Sequence, residues 1–415
     1  MKELYKRRRE QLLSAKQGPC MICIFSGNAP MRSADEAYEF SVDRSFYYLT
    51  GIDRENMILV LSKDEAGNAS ESIYIEPYDE FWAKWVGGRM REAEVTAISG
   101  IQRVLNVGDF RSGVAGYLER NRGRGQMHIY LDLWRYEENQ ADTQTHTFAA
   151  WIQSRYPAVR IDEIFGELAA MRAVKGQEEL ELMRKAQETT RIAIEEMMRY
   201  ARPGMNETEI EGAFDFALMK QGCREHAFPT IAAGGPRATT LHYSDNNCEV
   251  VDGQMVLVDL GSAERHYCAD ISRTFPVNGK FTERQKEIYN TVLEAQRIVI
   301  EAAKPGMTMR KLNQLVIDYY ESRLDDLGLR KDGKTVEDYY YHGVSHSLGL
   351  DTHDVWADSV LKPGMVITVE PGMYIEAEGI GVRIEDDILI TQDGAVDLSE
   401  NILKTVEDIE KLMAR

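Results

Sequence analysis

Cysteine is scarce in this chain of 415 residues: there are five, an odd number, so no disulfide framework is indicated and the fold has to be held by its core. Cys20 and Cys23 form a C-x-x-C, but they sit inside the apolar run CMICIF with no βα redox context behind it. They read as two side chains packed in a buried strand rather than as a redox pair. No run of 18 apolar residues occurs, which excludes a membrane-spanning helix. The opening MKELYKRRREQLL is charged throughout, which argues against a signal peptide and reads as an amphipathic first helix, so a cytoplasmic protein is expected. Basic residues are outnumbered, 49 Lys and Arg against 68 Asp and Glu, and the resulting charge of −19 is spread rather than blocked. That balance argues against nucleic acid and against an anionic membrane as partners.

What is present divides the chain. Up to about residue 165, strand and helix signals alternate. CMICIF, SFYYLTG, NMILVLS, SIYIEP and MHIYLDL read as strands; the opening segment, EAEVTAISGIQRVL and THTFAAWIQSRY read as helices; DEAGNAS reads as a hairpin turn. An α/β domain over residues 1–170 is expected, with its own core but no dense set of catalytic residue types. Within it FWAKWVGGRM, bearing Trp82 and Trp85, is an aromatic patch suited to core or to an interface, and it points to oligomerisation and to an active-site rim. From Ile164 the text turns helical, with a break near Gly176, and a second domain is expected over 171–415.

The chemistry lies in that second domain. Val258 to Phe275 gives an apolar strand ending in Asp259, a short polar turn, and a second strand carrying Asp270. A hairpin centred between residues 264 and 265 sets the two aspartates side by side. Buried carboxylates repel and take up protons unless a cation holds them. One such pair could equally be ordinary turn and edge residues. A second copy decides the matter: residues 363–390 again give a β-branched strand ending in a carboxylate, Glu370, a turn bearing Gly379, and a strand carrying Glu385. The helical text repeats as well, with Pro-Gly-Met entries at Pro203 and Pro305 followed by the cap candidates Asn206 and Thr308. Pro203 to Pro305, Asp259 to Glu370 and Asp270 to Glu385 are offset by 102, 111 and 115 residues, which suggests two related halves around a shared centre.

Six of the eight histidines also gather there: His226, His242, His266, His342, His346 and His353. His342 and His346 lie four apart, but the Glu of H-E-x-x-H is missing, and Gly343 among Tyr and β-branched neighbours predicts extended chain with 342, 344 and 346 on one face. Two Asp, two Glu and one or two His form a mostly oxygen donor set. It suits two divalent ions, Mn²⁺ ahead of Co²⁺, Fe²⁺ and Zn²⁺. Two such ions, roughly 3.5 Å apart, share a hydroxide that attacks a carbonyl, so the chemistry expected is hydrolysis.

DLG with Asp259, YCADISRTF with Asp270, HGVSHSLGLDTHD with His346, VEPGMYI with Glu370 and GVRIEDDILIT with Glu385 resemble, in order and spacing, the pita-bread metallopeptidases, and among them the aminopeptidase P group. SVDRSFYYLTGI resembles the N-terminal domain of the aminopeptidase P, prolidase and creatinase relatives. The resemblance implies an α/β N-terminal domain followed by an α+β pita-bread catalytic domain with internal pseudo-twofold duplication. It implies Asp259, Asp270, His346, Glu370 and Glu385 as metal ligands, with Asp270 and Glu385 bridging. It makes His353 the donor to the scissile carbonyl, His242 a substrate contact, His342 the proline-side wall, and Glu370 also the proton shuttle; Arg383 and Tyr374 orient ligands and substrate. The substrates implied are peptides with proline second, cut before that proline, by a homodimer or homotetramer. Ser347 departs from the pattern, since a bulky aromatic often follows the ligand histidine in close relatives. Prolidase, limited to Xaa-Pro dipeptides, is the alternative, and a pita-bread binding protein without metals is a third; all five ligand positions are filled here.

Overall fold

A computed structural model describes residues 1–123, 127–331, 333–356 and 359–414. The chain forms two compact units, Met1–Met171 and Arg172–Arg415.

The first unit is a six-stranded mixed sheet flanked by helices. In spatial order its strands are Val104–Asn106, Ala69–Ile75, Ile58–Lys63, Cys20–Phe25, His128–Leu131 and Arg160–Glu163. The central CMICIF strand is buried along its whole length, Cys20 and Cys23 included, as a continuous apolar run requires when both faces of a sheet are covered. The opening segment is a helix, Lys2–Ser14, that buries Leu4, Tyr5, Leu12 and Leu13. SFYYLTG corrects the sequence reading: it is a helix, Arg44–Thr50, not a strand. Its aromatic and β-branched content favours a strand, but Asp43 accepts the Phe46 N–H at the start and Gly51, at φ +69°, closes the end. With both ends capped and every residue from Ser45 buried, packing overrides propensity. FWAKWV forms the helix Glu80–Val86, which buries nothing; Phe81, Trp82, Trp85 and Val86 are all exposed, so the core reading of this patch fails.

In the second unit two three-stranded antiparallel sheets lie under four long helices. One sheet orders Ile271–Pro276, Met255–Leu260 and Ile231–Gly234; the other orders Val366–Val369, Asp386–Ile390 and Ala395–Asp397. The sheets meet where Glu385 N–H donates to Ser272 O (3.1 Å) and Thr274 Oγ1 donates to Arg383 O (3.2 Å). The helices are Gln177–Tyr200, Glu207–Lys220, Glu283–Ala302 and Met309–Arg323. The first turns Ala193, Ile194, Met197 and Met198 inward at three- and four-residue spacing, into a core shared with Val256, Phe275 and Ile388. Both Pro-Gly-Met entries are turns with glycine at φ +87°, after which Asn206 caps Thr208 N–H and Thr308 caps Lys311 N–H. The apolar strands and capped helices thus leave their polar strand ends converging between the sheets.

Candidate active site

The second carboxylate hairpin has the register its sequence implies. Val369 faces Asp386 and Gly372 faces Arg383, which places Glu370 opposite Glu385. The first hairpin is shifted from expectation: Asp259 pairs with Ser272, not Asp270. The cause is the tip, where Ala263 faces Cys268 and Glu264 faces Tyr267 around a two-residue turn of Arg265 and His266, both at positive φ. Centring there moves the pairing by two residues, and because strand side chains alternate with period two, Asp270 stays on the face of Asp259 as a diagonal neighbour. The chains also approach closely beside it. A Cβ on Gly261 would lie 1.8 Å from Ala269 O, so only glycine fits.

Ligand atoms of Asp270, His346 and Glu385 lie within 4.8 Å of one another. His346 Nε2 is 3.4 Å from Asp270 Oδ2 and 3.5 Å from Glu370 Oε1, while its Nδ1 donates to Ser347 O at 3.1 Å. That bond fixes the tautomer and leaves the Nε2 lone pair facing the carboxylates. Arg383 ties the two hairpins together: its Nη2 donates to Asp259 Oδ2 (2.8 Å) and its Nε to Ser272 Oγ (2.8 Å), which in turn donates to Glu385 Oε2 (2.9 Å). Its Nη1 reaches the Tyr374 hydroxyl at 3.1 Å, and that hydroxyl also shares a 2.9 Å hydrogen bond with His342 Nε2.

The electrostatics are those of a cation site. Burial, then Glu385 and Asp259, push Asp270 well above the usual carboxylate range; burial, then Glu370 and Asp259, do the same to Glu385. Glu370 is raised to about 8, chiefly by burial. His346 and His342 are lowered to about 4, again chiefly by burial, so both are neutral at pH 7. Asp259 Oδ1 and Glu385 Oε1 are buried with no hydrogen-bond partner among the described residues. One Arg383 cannot balance four carboxyls, and the orphaned oxygens and free imidazole nitrogen fit hard or borderline divalent ions.

The structure therefore brings together Asp259, Asp270, His346, Glu370 and Glu385, with Arg383, Tyr374 and His342 at their edge. His353 stands against His346, ring centroids 4.3 Å apart, and burial, with His242 nearby, lowers its pKa. His242 is exposed on the turn after 235–239. The stretch around His342 is irregular chain rather than the strand expected: Val344 is buried, and only Ser347 makes a bridge, to Ile367. It still lies against the 366–370 segment, where Glu370 N–H donates to Val344 O (2.9 Å), Thr368 N–H to His346 O (3.0 Å) and Leu348 N–H to Val366 O (3.1 Å), while the His342 ring bonds Gly343 O and Tyr374. His226 and His266 take other partners, Asp215 and Glu225. A cavity of about 600 Å³ opens beside His346 and His353, with Ser345, Ser347, Trp356 and Arg310 among its lining.

Sequence reasoning missed two supporting groups. Ser272 and Asp387 each lie two residues beyond a predicted ligand, on the same strand face, so strand periodicity could have found them. Asp387 is buried, accepts the Asp270 N–H at 3.0 Å and is also bonded by Gln187.

Comparison with known proteins agrees with this geometry. Residues 181–392 match the model of metallopeptidase family M24, and residues 5–127 match that of the aminopeptidase P N-terminal domain. The chain is 34% identical to the Xaa-Pro aminopeptidase of Escherichia coli K12, with 99% of this chain and 97% of that protein aligned. It is 30% identical to human Xaa-Pro aminopeptidase 3, covering 99% and 86%. Among solved structures, proline aminopeptidase P II from Yersinia pestis superposes with a TM-score of 0.89 at 33% identity over 100% of this chain and 99% of that one. Aminopeptidase P from E. coli with the inhibitor Pro-Leu gives 0.89 at 31% identity, covering 100% and 98%.

Proposed function

The chain belongs to metallopeptidase family M24, joined to an aminopeptidase P N-terminal domain, and from this we propose that it is a metallo-aminopeptidase that removes the first residue from peptides whose second residue is proline. The observation that carries the reading is the convergence of Asp270, His346 and Glu385 in a buried carboxylate cluster with orphaned oxygens. Asp259, Asp270, His346, Glu370 and Glu385 would hold two divalent ions, Mn²⁺ being the best match to an oxygen-rich set with one imidazole. When bound, such ions supply a nucleophilic water at neutral pH and polarise the scissile carbonyl.

The rest follows from the chain's own side chains. An Xaa-Pro bond is a tertiary amide with no N–H and a fixed φ, so recognition has to fall on the ring rather than on the backbone donor. His342, with Tyr340 at a ring separation of 4.9 Å and Tyr374 at 5.6 Å, supplies an aromatic wall suited to that ring, and His242 binds the substrate beside it. Arg383 and Tyr374 hold Asp259 and His342 in place. His353 donates to the carbonyl oxygen as negative charge develops there. Glu370, whose Oε1 stands 3.5 Å from His346 Nε2 at the edge of the cluster, relays a proton to the departing proline nitrogen.

We also infer a cytoplasmic homodimer or homotetramer. None of the five cysteines is in a disulfide, as suits a reducing compartment, and no described helix is long and apolar enough to cross a membrane. The exposed Phe81, Trp82 and Trp85 suit an interface. Hydrolysis of Xaa-Pro dipeptides against Xaa-Pro-Yaa peptides with added Mn²⁺ tests the reading. Release of the first residue from the longer peptides is expected; cleavage confined to dipeptides would make the protein a prolidase, and no cleavage of either would overturn the proposal.

A further inference from the structure

Asp354 follows His353 in the chain, and its carboxylate is one of the most completely buried charges in the second unit, 1% exposed. Two cations enclose it. Arg172 Nη2 donates to Asp354 Oδ1 at 2.6 Å and to Asp351 Oδ2 at 2.7 Å, and Lys175 Nζ donates to Asp354 Oδ2 at 3.1 Å. Both cations are themselves buried. Around them the chain closes on itself: Asp354 N–H donates to Ser347 O (2.9 Å), Gly349 N–H to Asp351 O (3.1 Å), and Lys175 N–H to Gly364 O (2.8 Å). There is no slack, because a Cβ on Gly349 would lie 2.1 Å from Asp354 Oδ2 and 2.9 Å from Lys175 Cε.

Stability alone is a poor account of this cluster. Taking an arginine, a lysine and an aspartate out of water costs about as much as their attraction returns, and a well-packed apolar group would often serve as well. Charge buried in this way does confer rigidity, because a displaced partner strands an ion where nothing solvates it. The loop made rigid is the one that carries His353 and ends at Asp354. On the other side of His353, Thr352 Oγ1 donates to Ala227 O at 3.0 Å, so the histidine lies between two anchored residues. Its ring stands 4.3 Å from that of His346, where a donor misplaced by about 1 Å loses on the order of 10²-fold in rate.

We propose that Asp354, clamped between Arg172 and Lys175, is a positioning residue that sets the His353 ring for its hydrogen bond to the scissile carbonyl oxygen. The proposal rests on the role given to His353 above. It is tested by a double-variant cycle of Asp354→Asn and His353→Ala, with kcat and KM measured on an Xaa-Pro-Yaa peptide at saturating Mn²⁺, and with Mn²⁺ content and melting midpoint measured alongside. Asp354→Asn should lower kcat about 10- to 100-fold, with KM and bound Mn²⁺ near those of the parent. In the His353→Ala background the same change should cost less than about twofold, since the group it positions is gone. If the two losses multiply instead, Asp354 acts on the fold at large and the proposal fails while the role of His353 stands. If His353→Ala alone keeps full kcat, both fail together. Should Asp354→Asn not fold, Lys175→Met, which leaves Arg172 paired with Asp354, takes its place in the same cycle under the same criteria.

Discussion

At the scale of single residues, the proposed mechanism gives the two histidines seven apart different roles, His346 as a ligand and His353 as a donor. His346 turns Nε2 to Asp270 and Glu370, whereas His353 is held beside it without facing the carboxylates so closely. Removing one oxyanion donor typically costs about 10²- to 10³-fold in kcat. His353→Ala should therefore keep its metal and a near-parental KM while kcat falls by that factor, whereas His346→Ala should bind Mn²⁺ weakly and recover partly in excess Mn²⁺. Metal analysis beside steady-state kinetics checks the pair, and equal metal loss in both would reverse the roles. Glu370 yields a second expectation. Without metal its pKa is about 8, against 4.5 for an ordinary glutamate. Between those values the folded protein keeps a proton that the unfolded chain has released, so stability of the metal-free form must fall as pH rises through that window. Its melting midpoint should drop as pH rises from about 4.5 to about 8, and Mn²⁺ binding in that range should expel protons. Calorimetric titration in buffers of different ionisation enthalpy reads that release; a binding heat independent of buffer, with a flat melting profile, would refute it.

At the scale of elements, the first hairpin depends on one missing side chain. Gly261 lets Ala269 O pass where a Cβ would sit 1.8 Å away, and this approach brings Asp270 back to the face of Asp259 after the turn at Arg265 and His266. Gly261→Ala should destabilise the protein by about 1–3 kcal/mol, as overpacking a closed contact does, and should weaken Mn²⁺ binding with it. Denaturant unfolding of the metal-free form measures the first effect, and a midpoint unchanged from the parent would mean that the chains can part at no cost. Elements also explain where sequence reading went astray. SFYYLTG has the composition of a strand, yet Asp43 and Gly51 cap it as a helix, a signal carried by its flanks rather than its interior. The sequence centres the first hairpin inside Ser262 to Arg265 and so misses its pairing by two residues, because no glycine marks the true turn at Arg265 and His266, whereas Gly379 marks the second. The error left the site intact only because it was even-numbered.

At the scale of the whole molecule, the exposed helix Glu80–Val86 belongs to a unit with its own core and with none of the carboxylates of the candidate metal site. Light scattering at micromolar concentration should report a dimer or tetramer, and Trp85→Ser should shift the distribution toward monomer; a parent protein that is already monomeric would remove the interface. Sequence alone determined the donor types, their order and their strand-end positions, because strand periodicity and turn residues are local properties: two carboxylate hairpins imply a cation before any contact is known. Local patterns could not show what holds the donors in place. Arg383 joining Asp259 to Ser272 and Glu385, Gln187 against Asp387, and Arg172 with Lys175 around Asp354 connect residues more than a hundred positions apart. Only the tertiary structure decided those contacts, because a buried charge is satisfied by whatever partner the packed core brings within reach, and nothing in the spacing along the chain records that distance.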